Sequence, residues 1–401
     1  MGDGPRVLMV TGEFPPRQGG VGDYTAILSN HLACSGARVA VLTRGDRGRL
    51  GAEVDSDEVA VYRSVQGWGF ASWPTIASTA RATGSQIVHI QYQAAAYSMH
   101  PASNLLPGYL RLRLPGIKVV TTFHDLRVPY LFPKAGRLRP AAVHALDRLS
   151  HASVLTNQAD LASLGGPTGR GSLRVKRWLI PIGSNIACAP PADFDRQRWR
   201  RQIGADDDTL VVSYFGFMND TKGVEYLIQA LGLLAGRGCR LRLLIVGGEA
   251  GETDSTNRSY SQQIVRLIKS RRLEDRVYWT GFVSGEQVSA AILSSDVCAL
   301  PFRDGASARR GSLLAALTHR LPIVTTRPVT PEPLLVDGSN VIMVERDSPT
   351  ALADAIEFLW LHPDLRNRLS EGAGLLSRQF EWTGIAARHM EMYETVLGRR
   401  R

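Results

Sequence analysis

The sequence is poor in cysteine, with only Cys34, Cys188, Cys239 and Cys298 among 401 residues. No two of them share the close spacing of a zinc site or a disulfide framework, so reduced thiols in a cytosolic chain are the plain reading. Long apolar runs are missing as well. No stretch approaches the ~18–20 apolar residues that a membrane-crossing helix needs. No secretory leader is expected either, because Met1–Pro5 leads straight into the strand-like run Arg6-Val7-Leu8-Met9-Val10. Nor is the composition extreme: a hydrophobic fraction of 44% and a charged fraction of 21% describe a globular chain, not a disordered one.

What is present is length, and charge unevenly placed. At 401 residues the chain exceeds one compact core, and two domains are expected. The net charge of +10 falls almost wholly in residues 1–190, where twenty Lys/Arg oppose eleven Asp/Glu. A basic first half suggests an anionic partner such as a phospholipid surface, a phosphorylated acceptor or nucleic acid; a solvated basic surface is the alternative.

Strand-like runs alternate with helical stretches from end to end. In the first half strands are expected at 6–11, 38–43, 59–63, 87–91, 118–123, 153–156 and 177–181, with a clear helix at Val21–Cys34. Pro190-Pro191 and the polar stretch to Asp206-Asp207-Asp208 look like a linker. The three aspartates could be read as a metal site, but they suit a solvated turn better. A second series of strands follows at 210–215, 240–246, 276–279, 297–300 and 322–325. Helices are expected at 223–235, 260–270, 285–293, 311–319, 349–361, 363–379 and 382–397. The expected fold class is therefore α/β, with two doubly wound parallel sheets whose ligands lie beyond the strands' carboxyl ends. The expected division is an acceptor-side domain at 1–188, a linker at 189–209, a donor-binding domain at 210–380 and a helix at 381–401 packing back on the first domain.

Four strand-end segments carry candidate chemistry. Gly12 to Gly22 joins a strand to a helix, and its Gly19-Gly20-Val21-Gly22 lets backbone N–H groups approach a ligand; a structural turn would look the same. Gly216 to Gly223 does likewise and adds Lys222, placed to hold a phosphate as a point charge, though without the spacing of a Walker loop. The segment from Pro301 to Ser312 sets Arg309 and Arg310 before a helix start at Gly311, which suits an oxyanion. His124-Asp125 closes a strand in the first half, where a substrate contact would fall. A ligand-free basic loop or a structural histidine is the plainer reading of the last two.

Taken in order, these segments resemble the family 4 glycosyltransferases, retaining enzymes of the GT-B fold with two facing Rossmann-like domains. Gly19–Gly22 is similar to the acceptor-side glycine loop, Phe123-His124-Asp125 to the strand-end histidine, and Ile180–Asn185 to the end of the first domain. Phe215–Gly223 is similar to the diphosphate loop. Ile245–Gly248, Thr280-Gly281-Phe282-Val283, Ser295–Val297 and Leu300-Pro301 match later landmarks. The resemblance implies a nucleotide-sugar donor on the second domain and a saccharide or lipid-linked acceptor on the first. Lys222 would meet the diphosphate and His124 the transferred sugar, which makes these two the catalytic candidates; Phe282-Val283 would meet the base. It further implies leaving-group stabilisation by cations and helix N-termini, with no metal or cofactor.

Two departures from the family pattern stand out. Phe217 occupies the place of an arginine common after the loop glycine, and the family's two glutamates, eight residues apart, map onto Ser307 and Ala315. Arg309 and Arg310 are expected to compensate by holding phosphate, with Asp304 or backbone groups meeting the sugar; Gly311 and Ser312 are counted with the donor-binding residues. A polyprenyl-phosphate sugar donor, a non-catalytic binding protein and a GT-B-type epimerase are the rival readings. Two apolar and cationic stretches, Leu105–Leu114 and Tyr130–Arg139, are candidates for an anionic membrane surface, and nucleic acid is set aside for want of a recognised module.

Overall fold

The computed structural model describes residues 4–17, 19–45, 52–56, 59–126, 138–166, 175–247 and 255–399. These form two compact units, one of residues 1–183 with 381–401 and the other of residues 184–380.

The first unit is built on an eight-stranded sheet in the order β3-β4-β2-β1-β5-β6-β7-β8. Its strands are β1 (Arg6–Thr11), β2 (Arg38–Arg44), β3 (Ala52–Ser56), β4 (Val59–Val65), β5 (Ile87–Tyr92), β6 (Lys118–Phe123), β7 (Ala152–Leu155) and β8 (Lys176–Leu179). Between them run α1 (Gly20–Cys34), α2 (Trp73–Ala82), α3 (Ala102–Arg113), α4 (Leu138–Leu149) and α5 (Gln158–Ser163). All strand pairs are parallel except β3 with β4, an antiparallel edge that the alternating pattern did not suggest. β1, β5 and β6 are buried on both faces, as continuous apolar runs in a helix-covered parallel sheet must be. The chain winds outward from β1 to β2 and β4, then returns to β5 on the other side, so the strand order reverses between β1 and β5.

The second unit carries a six-stranded parallel sheet in the order β11-β10-β9-β12-β13-β14. Its strands are β9 (Leu210–Phe215), β10 (Leu241–Val246), β11 (Val277–Trp279), β12 (Val297–Leu300), β13 (Ile323–Thr326) and β14 (Ile342–Val344). The helices are α6 (Arg196–Gln202), α7 (Val224–Gly236), α8 (Ser255–Ser270), α9 (Gly285–Leu293), α10 (Gly311–Thr318), α11 (Pro349–Leu361) and α12 (Pro363–Ser377). Here the order reverses between β9 and β12, which places the crevice of this sheet at the loops that follow those two strands. The last helix, α13 (Trp382–Leu397), belongs to the first unit. There Ile385, Ala386, Met392 and Tyr393 join Val7, Met9 and Val41 in one buried cluster.

The stretch read as a linker is different in the structure. Residues 184–209 belong to the second unit and contain α6. The helix starts on Asp195, whose side chain accepts from the Arg198 N–H at 3.0 Å. Its buried side chain is Arg200, paired with Asp296 at 2.9 Å and bonded to the carbonyls of Asp206 and Thr209. A helix whose buried face is an arginine has no apolar periodicity, which is why the pattern reads as a loop.

Candidate functional site

In the second unit two loops meet at the β9/β12 crevice. Gly223 caps α7 in the left-handed region at φ 64°, and a Cβ there would sit 2.1 Å from the Pro301 carbonyl oxygen. Only glycine lets the loops after β9 and β12 come this close. The Arg303 N–H donates to the Thr221 carbonyl at 3.0 Å and fastens them together.

That contact brings Lys222 and Arg310 to the same aromatic ring. Lys222 Nζ lies 5.1 Å and Arg310 Cζ 4.5 Å from the centre of the Phe302 ring, itself fully buried. Burial, reinforced by the neighbouring Arg310, pulls the Lys222 ammonium down to about 8. Two cations held close against an apolar ring are a poor arrangement unless an anion joins them. Asp304 is that anion for Arg310 in part, through a direct ion pair. Asp304, the residue expected to meet the sugar, thus has one carboxylate oxygen paired with Arg310 while its side chain stays half exposed. Arg309 is exposed, and its N–H faces Ser307 Oγ at 3.4 Å.

The amino end of α10 opens on the same crevice. Gly311 begins the helix, and Ser312 follows with its Oγ buried and without a hydrogen-bond partner. A Cβ on Gly216 would lie 3.8 Å from the Ser312 Cβ, so the unpartnered hydroxyl sits beside the β9 loop. Phe217 is half exposed. The Thr280–Val283 turn stands next along this edge, with Gly247 N–H donating to Thr280 Oγ1 at 3.2 Å and Phe282 74% exposed. Gly248, the last residue of the neighbouring landmark, lies outside the described residues.

At the positions read as missing acids, Ala315 is fully buried in α10 and offers no polar atom of its side chain. Ser307 does have a carboxylate neighbour, which the sequence reading missed: its Oγ donates to Glu332 Oε1 at 2.7 Å. Glu332 lies in the loop after β13, at a carboxyl edge where ligand groups gather, and that placement was the available signal.

In the first unit the glycine loop follows β1, as its place between strand and helix requires. The charge at its helix end is the chain's own. Glu13 Oε1 accepts from the Val21 N–H at 3.2 Å, and a Cβ on Gly19 would lie 2.2 Å from the Glu13 carboxyl carbon. A bare Gly19 thus seats the chain's own carboxylate at the N-terminus of α1, in the loop expected to approach the acceptor. Gly20 opens α1, while Val21 and Gly22 are buried behind it. Arg63 of β4 braces the loop by donating to the Pro15 carbonyl at 2.5 Å.

His124 stands at the end of β6. Its Nε2 donates to Gln91 Oε1 at 3.0 Å, because the Gln91 amide nitrogen is turned to Met9 Sδ at 3.5 Å. This leaves Nδ1 as the acceptor nitrogen. Burial, with His389 nearby, holds the ring neutral by lowering it to about 3. Tyr24 packs edge-on against it at 4.7 Å, and Trp382 of α13 packs on Tyr24 at 5.2 Å. Asp125 follows, half-buried, near enough to Tyr92 to raise its phenol.

Leu105–Leu114 is largely α3, with Leu106, Leu110 and Leu114 buried and Leu105 and Leu112 exposed. Most of the second membrane candidate, Tyr130–Arg139, lies outside the described residues. Among the described residues no helix is long and apolar enough to cross a membrane.

Comparison with known proteins agrees with this layout. Residues 18–161 match the family described as Glycosyltransferase Family 4, and residues 195–374 match Glycosyl transferases group 1. Alpha-D-kanosaminyltransferase of Streptomyces kanamyceticus is 33% identical over 276 residues, covering 67% of this chain and 68% of that one. Sucrose-phosphate synthase from Thermosynechococcus elongatus superposes with a TM-score of 0.77 at 19% identity, over 99% of this chain and 100% of its own. HepE from Anabaena, solved with UDP and glucose, superposes with a TM-score of 0.70 at 18% identity, over 98% of this chain and 100% of its own. The strand order, the loops at both sheet reversals and these matches together show that the chain belongs to the family 4 glycosyltransferases and has their GT-B fold.

Proposed function

We propose that this glycosyltransferase takes a sugar from a nucleotide-diphosphate donor bound by the second unit. It passes the sugar to a saccharide or lipid-linked acceptor on the first unit, with retention of configuration and without a metal ion or cofactor. The observation that carries the donor reading is the pairing of Lys222 and Arg310 on Phe302 beside the open amino end of α10. A diphosphate would neutralise both cations and give the buried Ser312 hydroxyl its partner. It would also place the leaving-group charge against a helix N-terminus. HepE, which shares the fold, was solved with UDP; this supports a nucleotide donor.

The test is UDP binding by calorimetry, followed by turnover over a panel of nucleotide sugars with the product anomer read by NMR. Arg310→Ala is expected to weaken UDP about 10- to 100-fold, the range of a lost charge-assisted hydrogen bond. Unchanged UDP affinity in that variant, with no nucleotide sugar consumed by the wild type, would sink the donor reading. A second reading, a sugar-nucleotide-binding protein without turnover, is favoured by Ala315. It predicts UDP binding with no transfer.

We place the chain in the cytoplasm, at an anionic membrane face, with exposed Leu105 and Leu112 of α3 and the basic residues Arg111 and Arg113 as the contact. Sedimentation with phosphatidylglycerol vesicles should exceed that with phosphatidylcholine vesicles, and Leu112→Asp should remove the difference. Equal sedimentation with both lipids refutes the contact.

A further inference from the structure

We propose that Glu332 is the carboxylate that meets the transferred sugar, and that Ser307 is its positioning residue. The assignment rests on the donor reading above.

The acids around the donor loops differ in what is paired with them. Asp220 Oδ1 is paired with Arg303 Nη1 at 3.0 Å. Glu225 takes Arg303 Nε at 2.7 Å and also the Tyr260 hydroxyl. Asp304 is paired with Arg310. Each of these carboxylates has its charge neutralised by an arginine. Glu332 differs, because its partner is the neutral hydroxyl of Ser307 at 2.7 Å. One oxygen is thereby fixed, and among the described residues no arginine is paired with this carboxylate.

The local chain holds that geometry. Pro331 and Pro333 flank Glu332 and restrict the backbone on both sides. The Leu335 N–H donates to the Glu332 carbonyl at 3.0 Å. The two loops that carry Glu332 and Ser307 are clamped together at their bases. There the Ala306 N–H donates to the Thr326 carbonyl at 3.1 Å, and a Cβ on Gly305 would lie 2.7 Å from the Arg327 carbonyl oxygen. Ser307 Oγ accepts from the Arg309 N–H, which directs its own proton to Glu332. The Arg310 N–H donates to the Ser307 carbonyl at 3.0 Å, so Ser307 and the Arg310 cation belong to one turn.

The chemistry follows from that neighbourhood. The sugar of a nucleotide-diphosphate donor is bonded to the outer phosphate, so it lies next to whatever grips that phosphate. Its hydroxyls need acceptors, and its ring gains positive character as the diphosphate leaves. Lys222 and Arg310 serve the departing oxygens but repel the ring. A carboxylate with one oxygen tied to serine and the other available accepts a sugar hydroxyl and stabilises the ring charge.

The experiment compares UDP with UDP-glucose by calorimetry on the full chain, for wild type, Glu332→Gln and Ser307→Ala. Both variants should bind UDP like the wild type. Glu332→Gln should bind UDP-glucose about tenfold more weakly and turn it over about 100-fold more slowly, mainly in kcat. Ser307→Ala should give the same pattern at smaller amplitude, because it frees the carboxylate without removing it. If Glu332→Gln binds UDP-glucose like the wild type, or loses UDP and UDP-glucose equally, the assignment is overturned while the donor reading stands. A wild-type chain that binds neither overturns both.

Discussion

Replacing Lys222 with alanine is expected to lower kcat by about 10²–10³-fold, the usual loss when a group that stabilises leaving-group charge is removed. Its melting temperature should not fall. Lys222 is largely buried, it repels Arg310, and its ammonium is already pulled down to about 8. Removing it relieves desolvation and like-charge repulsion in the free protein, so a loss of activity cannot be ascribed to a damaged fold. The same shift fixes a pH signature. Below pH 8 the free protein carries the cation that the diphosphate needs. Above pH 8 it does not, and binding must take up a proton. UDP affinity and kcat/KM should therefore fall by about tenfold per pH unit above pH 8, in step with the single proton taken up. In Lys222→Ala that limb should vanish, and in Lys222→Arg it should move beyond the accessible range. Calorimetry from pH 6.5 to 9.5 checks it. A wild-type curve that stays flat across that range would remove Lys222 from the diphosphate site.

Most of the fold was legible because its buried strands are continuous apolar runs closed by glycine turns. Val7 to Val10 is an example, and the strands that were expected were placed to within a residue or two. What escaped was short or held by polar contacts, as with the three-residue β14, which pairs only with β13. α6 hides behind Arg200, and the β3 edge pairs only with β4. The two glycine loops could be placed from sequence, since both join strand to helix. Their electrostatics could not. Whether a helix end is open, as at Ser312, or already filled, as by Glu13, depends on side chains folding back from elsewhere in the loop. The basic excess of the first half is likewise partly internal. Arg63 is bonded to the Pro15 carbonyl, and Arg177 is buried against Asp147 at 2.7 Å. Glu332 stood at a readable strand end, but its pairing could not be read, because the contact is with a residue 25 positions away.

Removing residues 382–401 is expected to unfold the first unit and leave the second with its own cooperative transition, because α13 is part of the first unit's core. Ile385, Met392 and Tyr393 are each at most 1% exposed. Burying three such side chains contributes about 5–9 kcal/mol. Tyr393 also hydrogen-bonds His89 Nδ1 at 2.6 Å, and losing it strands a buried imidazole at about 1–3 kcal/mol. The combined loss is comparable to the whole stability of a typical domain, about 5–15 kcal/mol. The consequence reaches the site, because Trp382 packs on Tyr24 and Tyr24 on His124. Acid should act on the same core by a different route. Burial holds His389 down at about 4, and burial with His389 nearby lowers His89 as well. A histidine lowered in the folded state favours the unfolded chain once the pH drops below the ordinary value of about 6.5. Each such ring then removes about 1.4 kcal/mol per pH unit until its folded value is reached. Between pH 6.5 and 4.5 the first unit should lose about 2 kcal/mol from His389 alone, and His89 adds to the loss in the same direction. Scanning calorimetry of the full chain at pH 7.5, 5.5 and 4.5 should show one transition falling with acid, and His389→Leu should flatten that dependence. A first-unit transition that survives the truncation, or that ignores pH over this interval, would show that α13, His389 and His89 lie outside the core.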